Sequence, residues 1–494
     1  MLQLKKRFTR LKGTSSDAVI LAVIQVITTV VGLLVSKLLS VRFSLSEYGT
    51  YSQTILVVTT ASSLTVLGMT NAVNFFFNGN ASTGEKQRYL STIFDLQYIL
   101  GSTCALVLII FRHSIAGYFK NEQLIRLLWF AACLPVLQNL LPMMQVLFIA
   151  IGKAKFIAIR NLVISILRLA SVIVASYITK NIETIIVLLV VLDAAQIALF
   201  RVLLNRAGIK LKILDFDKLK VKEILIFCIP MSIYLMTNSL SRDIDKYVIS
   251  YFTDTETMAI YSNASKLLPF DLVTASFITV LIPIITRYIR NEEYCIAFQT
   301  FKAYLRLGYI VTWMLTFGAV VLSKDLMLFL YDEKYLPGIG VFVIYLFVDM
   351  FRFANTSLVL VAKGKTKTLM FMSIMALIAN LIIDIPAYNV FGIIGPAATT
   401  LIITIILIVI LLDRSSRELK NGIHNLFNWR EVLLYALEVM IVGAGTYAFR
   451  KILGQLKLPS FASFIISYGL YFVILLSINR KRILDCLKEI NQFK

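Results

Sequence analysis

Long apolar runs separated by short polar breaks extend from one end of the chain to the other. A helix that crosses a membrane needs about 20 mostly apolar residues. Fourteen runs fit that length: 18–41, 49–77, 90–111, 124–148, 156–178, 183–204, 222–241, 257–284, 303–323, 339–361, 368–388, 392–413, 431–450 and 459–478. The breaks are too short to hold an extramembrane domain. The longest, RAGIKLKILDFDKLKVK at 205–221, is basic and separates the sixth run from the seventh. This pattern predicts an all-α integral membrane protein. It has a six-helix lobe at 1–204, a basic linker at 205–221, a second six-helix lobe at 222–413, and two appended helices with a basic tail at 414–494.

The two lobes repeat one another. The stretch KLLSVRFSLSEYGTYS at 37–52 reads as the end of one helix, a tight polar turn at Ser44–Gly49 and the start of the next. A looser copy, KYVISYFTDTETMAIYS, stands at 246–262. Tyr51 and Tyr261 are 210 apart, Lys37 and Lys246 are 209 apart, and an A-x-G-K-x-K loop recurs at 150–155 and 362–367, an offset of 212. An even number of helices per copy gives both copies one orientation, related by a pseudo-two-fold axis along the membrane normal. Two such bundles side by side enclose a central cavity.

Composition sharpens the picture. The chain is 58% hydrophobic and only 16% charged, with mean hydropathy +0.81. Soluble domains sit near 45–50% apolar and about 25% charged. Lys and Arg number 49 against 28 acids. Counted in alternate loops, they fall roughly 32 to one side and roughly 11 to the other, which places both termini in the cytoplasm. The surplus therefore reads as cytoplasmic loops against anionic lipid, not as a nucleic-acid surface. The five cysteines form no CxxC pair, so neither a disulfide framework nor a zinc site is expected. The basic start before 18–41 resembles a signal peptide, but the run is too long for one and is read as a retained helix.

No catalytic constellation is visible. Gly364-Lys365-Thr366 resembles the end of a phosphate-binding loop, but Val359 stands where that loop needs a glycine. The informative residues are ionisable ones inside the runs, because each costs several kcal/mol (roughly 2.5–3.5 on insertion scales) unless it meets a partner or a wet cavity. Lys37, Arg160, Arg168, Lys266, Arg306 and Arg352, with Arg42 and Lys246 just beyond the ends of their runs, are candidate cavity cations, suited to an anion such as pyrophosphate. Asp193, Asp271 and Asp349 are candidates for a coupling proton or Na+. The plainer alternative is that Lys37, Arg160, Asp384 and Glu438, near the ends of their runs, only snorkel to the interface. Asp349 and Arg352 share a helix face and can pair.

At this point the pieces resemble a known family. KLLSVRFSLSEYGTYS is similar to the first-loop signature of Wzx/PST-type polysaccharide flippases of the multidrug/oligosaccharidyl-lipid/polysaccharide exporter superfamily, with Arg42, Glu47, Tyr48, Gly49 and Tyr51 in place. Pro230, Asp245, Lys246 and A-I-Y-S-N-A-S-K at 259–266 match the second-half signature, although Thr257-Met258-Ala259 stands where a glycine commonly precedes the tyrosine. The resemblance implies a carrier, not an enzyme, that moves undecaprenyl-pyrophosphate-linked oligosaccharide to the outer leaflet by alternating access. It implies a bacterial cytoplasmic membrane, no cofactor, and coupling to a proton or Na+ gradient. The partners it implies are the polyprenyl-pyrophosphate-linked oligosaccharide, membrane lipids, a polysaccharide polymerase and a chain-length regulator. The alternatives are a peptidoglycan-precursor (lipid II) flippase, or a multidrug cation antiporter of the same superfamily. A membrane polymerase or glycosyltransferase is disfavoured by the lack of a large loop.

Overall fold

The computed structural model describes residues 24–78, 82–209, 211, 218–270, 272–456 and 459–492. Most of those residues are helical, and no strand occurs among them. Among the described residues eleven helices are long and apolar enough to cross a membrane, or thirteen when two bent pairs each count as one span. The chain is a multi-pass membrane protein. It divides into two compact units, residues 1–240 with 250–259 and residues 241–249 with 260–494.

The first unit begins with α1 (Ile24–Arg42). The expected turn at Ser44–Gly49 shrinks to Phe43 and Ser44, because Ser44 caps α2 (Leu45–Thr65). Its hydroxyl accepts from the Glu47 N–H, 3.2 Å, while the Glu47 carboxylate accepts from the Ser44 N–H, 2.8 Å. This capping box turns the polar run into the first turn of a helix. Leu67 and Gly68, both at positive φ, then bend the chain by 42° into α3 (Met69–Asn78).

Next come α4 (Thr83–Ile110), α5 (Arg112–Tyr118), α6 (Gln123–Ala131), α7 (Leu134–Ala150), α8 (Ala154–Val174) and α9 (Ile182–Arg206). A π-helical turn, Ala175–Thr179, ends α8. The core gathers Met69, Phe94, Leu140, Met144, Phe148 and Phe200. Polar pairs lie inside it: Asn121 donates to Thr50 (2.9 Å) and Gln53 (2.8 Å), and Asn139 to Thr65 (2.9 Å). By contrast only 17% of α1 or of α8 is buried, which leaves their apolar faces for lipid.

The long α10 (Lys218–Phe252) replaces the shorter expected run 222–241. It bends by 44° between Ile229 and Ser232, across its one proline, a residue that lacks the N–H for the helical ladder. Residues Arg242 and Lys246, read from sequence as loop, are therefore helical. Asp254 then caps α11 (Thr255–Ala264), accepting from the Thr257 N–H at 2.8 Å. Hydrogen bonds from Thr257 hold its carboxyl below the usual carboxylate range. The expected run 257–284 is thus two helices, α11 and α12 (Leu272–Arg290), with a break between them.

In the second unit, α13 (Tyr294–Val321) is the central helix, with 67% of its apolar window buried. Around it lie α12, α14 (Ser323–Leu330) and α15 (Ile339–Phe351); α18 (Ile394–Glu418) packs on α15 and on α16 (Leu358–Ala362), and α17 (Thr366–Phe391) packs on α18. The appended helices α19 (Trp429–Gln455) and α20 (Ser460–Gln492) pack on α13. Gly318 allows this: a Cβ there would stand 2.5 Å from the Tyr471 ring. Ion pairs fasten these helices: Arg306–Glu431 at 2.7 Å ties α13 to α19, Arg450–Asp325 at 2.7 Å ties α19 to α14, and Arg482–Glu438 at 2.8 Å ties α20 to α19.

The repeated A-x-G-K-x-K loops have one backbone. Gly152 and Gly364 take φ of 79° and 70°. In each the glycine N–H bonds three residues back (Ile149, 2.9 Å; Val361, 3.0 Å) and the next lysine N–H five back (Phe148 and Leu360, both 2.9 Å). That is the glycine stop of a helix, and the positive φ is what only glycine adopts without strain.

Candidate functional site

Each unit holds a cluster of ionisable side chains inside its spans. In the second unit it centres on two carboxylates, Asp245 on α10 and Asp384 on α17, only 1% and 0% exposed. Asp245 accepts hydrogen bonds from two phenols, Tyr261 at 2.6 Å and Tyr345 in a short contact. Asp384 lies within electrostatic reach of Asp245, yet neither of its oxygens receives a hydrogen bond from a described residue. The Thr399 hydroxyl lies beside it and donates to the Gly395 carbonyl, 3.2 Å.

One helical turn before Asp384, Asn380 donates to Ser241 at 3.1 Å and leaves its own oxygen unmet. The Thr400 hydroxyl, also buried, lies beside the Tyr345 phenol. Two neighbouring carboxylates in a low-dielectric interior cannot both stay ionised without a cation between them. The donors are all oxygen, a hard set that suits a proton or an alkali or alkaline-earth ion and not a soft metal. No group of three or more His, Cys, Asp or Glu side chains that could hold a metal ion occurs among the described residues.

In the first unit the cluster is cationic. Arg160 and Arg168 lie eight residues apart on α8, close enough to repel. Arg168 pairs with Asp193 of α9 at 3.2 Å, and the Gln196 amide donates to the same Asp193 oxygen at 2.9 Å. The other Asp193 oxygen is buried without a hydrogen bond. Arg160 donates to Asn161 at 2.7 Å and lies over the Phe200 ring. One carboxylate thus faces two guanidiniums. The Arg168 side chain is 45% exposed within an apolar helix, so its remaining donors are open to an anion.

The other sequence-predicted residues are scattered. Lys37 is half-buried on α1, and Arg42 at the end of α1 lies 4.2 Å over the Tyr177 ring. Lys246 pairs with Asp243 at 2.6 Å, one turn from it on α10. Lys266, its electrostatic neighbour, lies in the break after α11. Asp349 accepts from the Leu268 N–H at 2.9 Å, and Arg352 follows the end of α15. Arg306 is taken up by Glu431 and Glu489, tying α13 to the last two helices. Asp271 lies outside the described residues.

Sequence reasoning set Asp384 among the residues that snorkel, because the expected run ended at 388. The helix continues to Phe391, so the carboxylate is interior and not at a rim. The four-residue spacing of Asn380 and Asp384, one face of a helix, was the signal that could have found the cluster.

A family model described as "Polysaccharide biosynthesis protein" matches residues 34–340. No curated protein matches the chain in sequence. Among solved structures, the lipid II flippase MurJ in an inward closed conformation is similar, with TM-score 0.70 and 17% identity over 94% of this chain and 100% of that one. An inward-facing multidrug resistance MATE family transporter of the MOP superfamily has TM-score 0.63 and 13% identity, covering 82% of this chain and 99% of that one. A MOP superfamily transporter from Pyrococcus furiosus, described as having reverse polarity of its binding pocket, has TM-score 0.59 and 12% identity over 82% and 95%. At these identities the likeness is one of fold.

Proposed function

Because the chain belongs to the polysaccharide biosynthesis protein family, we propose that it is a flippase for a polyprenyl-pyrophosphate-linked oligosaccharide. The lipid-linked unit is carried from the cytoplasmic to the outer leaflet for surface polysaccharide assembly, by alternating access. Both termini are cytoplasmic, following the Lys and Arg asymmetry.

One observation carries the substrate class. Arg160 and Arg168 stand near one another inside a membrane helix with a single carboxylate, Asp193, against them. A net positive site in apolar surroundings is costly when empty and is relieved by an anion. A pyrophosphate head is such an anion, and guanidinium groups bind it in forked pairs. The polyprenyl tail stays in lipid, so only the head group and sugars need a polar route. The buried Asp245–Asp384 pair takes the coupling cation, a proton or Na+, and its occupancy drives the change of access.

A second reading, the lipid II flippase, draws on the MurJ-like fold, which this chain shares over 94% of its length. The two differ in the sugar, not in the pyrophosphate chemistry. The test is Arg168→Ala. Surface polysaccharide is expected to disappear and the lipid-linked precursor to accumulate, while the protein still inserts. Wild-type polymer in that variant refutes the cationic-site assignment. Supplying each lipid-linked precursor separately then distinguishes the two readings.

A further inference from the structure

A third polar feature lies away from both clusters, where α12, α16 and α18 of the second unit end together. A pocket of about 660 Å³ opens there, lined by Thr286, Arg290, Lys363, Gly364, Lys365 and Glu418, with Ile289 and Val361 on its apolar side. That volume suits a small-molecule or headgroup ligand, since such sites run from about 300 to 1,000 Å³. Three cations face one carboxylate. The carboxylate fixes two of them: Glu418 holds Lys363 at 2.9 Å and Lys365 at 3.5 Å. Lys363 also donates to the Glu418 carbonyl, 2.9 Å. The ammonium groups are therefore positioned before any ligand arrives. Lys365 remains half exposed. A Cβ on Gly364 would meet nothing within 4 Å, so the space over the loop is open.

The internal repeat shows that this is an elaboration of the loop and not a need of the fold. Ile151 precedes Gly152 in the first copy and Lys363 precedes Gly364 in the second, on matching backbone hydrogen bonds (Ile151 N to Leu147 O and Lys363 N to Val359 O, both 3.0 Å). The helix stops equally well with either residue. The extra lysine thus answers to something other than backbone geometry. The apolar lining and the exposed Phe371, Met375 and Ile378 along the following α17 give the surroundings a lipid-facing character.

We propose that this pocket binds the phosphate of an anionic lipid headgroup. The shared chemistry is a phosphate group against Arg290, Lys363 and Lys365, in the manner of basic pockets at helix ends. This is separate from the Arg160–Arg168 site and holds whichever substrate is carried.

The test uses the full chain in micelles containing equal phosphatidylglycerol and phosphatidylcholine, with bound lipid read by native mass spectrometry. Wild type is expected to retain phosphatidylglycerol preferentially. Each cation lost near a lipid surface costs about fivefold, so Arg290→Gln with Lys365→Gln is expected to bind about 25-fold more weakly. Lys153→Gln, the matching loop residue of the first unit, is expected to change nothing. Glu418→Gln removes the competing carboxylate and is expected to increase retention, a gain that a folding defect does not produce. Equal retention by the double variant and wild type overturns the site. A second arm adds inorganic pyrophosphate in neutral detergent without lipid. Thermal stabilisation there as large as that from phosphatidylglycerol, and lost in the Arg290→Gln with Lys365→Gln variant so that it does not arise at the Arg160–Arg168 site, assigns the pocket to free phosphate and overturns the lipid assignment.

Discussion

Asp384→Asn removes one charge from the buried pair of the second unit while keeping the side-chain shape. In the wild type Asp384 has 0% exposure and neither oxygen is hydrogen-bonded among the described residues. A carboxylate so placed is relieved by a proton or a bound cation. Binding to the folded state alone stabilises by RT ln(1 + [L]/Kd), about 2.7 kcal/mol when the ligand stands at 100 times its Kd. For a unit of roughly 240 residues, about 1 kcal/mol moves the melting temperature by about 2–4 °C, so saturation is expected to raise it by about 5–10 °C. The assay is thermal unfolding of the purified chain, with Na+ exchanged for choline at constant ionic strength and, separately, across a pH series. The wild type is expected to respond to Na+ or to protons. Asp384→Asn is expected to lose most of that response and to be less sensitive to its removal. A variant that keeps the whole wild-type dependence refutes the assignment of the ion to this pair.

Three further outcomes follow from the packing and the charge pattern. Gly49→Ala places a Cβ into the Thr255 backbone carbonyl and 2.7 Å from its Cγ2. Overpacking of this kind costs about 1–3 kcal/mol, so a lower melting temperature is expected, and an unchanged one contradicts the close approach. Arg450→Ala leaves Asp325, 18% exposed, without its forked partner. A double-mutant cycle with Asp325→Ala is expected to give a coupling of about 1–3 kcal/mol, and a coupling near zero removes this pair from the α14–α19 seam. Cys295 is exposed at the start of α13, near Arg287 and Arg290 in sequence. A membrane-impermeant maleimide is expected to reach it in inverted vesicles and not in intact cells, and the reverse pattern overturns the proposed orientation.

The helical plan was legible because lipid imposes a simple rule, and a continuous apolar run satisfies it. The repeat was legible too, and Gly152 and Gly364 show it in their shared helix stops. Polar runs misled the reading wherever a side chain could cap a helix. Ser44 with Glu47, and Asp254 with Thr257, turn expected loops into first turns. Hydropathy also cannot see a break whose flanks are apolar, which is why α11 and α12 read as one span. The site was harder still. Arg160, Arg168 and Asp193 stood out singly as charges in apolar runs, but their meeting depends on how α8 packs on α9. Asp245 and Asp384 are 139 positions apart, and only the fold of the second unit brings them within reach of Tyr261 and Tyr345. Arg306 carries the same sequence signal as Arg168, yet its partners, Glu431 and Glu489, lie on the two appended helices.

Translocation in reconstituted vesicles tests the central claim most directly. Purified protein is placed in liposomes with a polyprenyl-pyrophosphate oligosaccharide in one leaflet, and its arrival in the other is followed by an impermeant sugar-binding probe. Wild type is expected to move the lipid, faster under an imposed Na+ or proton gradient, and Arg168→Ala is expected to leave it where it was loaded. Translocation by Arg168→Ala at the wild-type rate, or none by the wild type, contradicts the account.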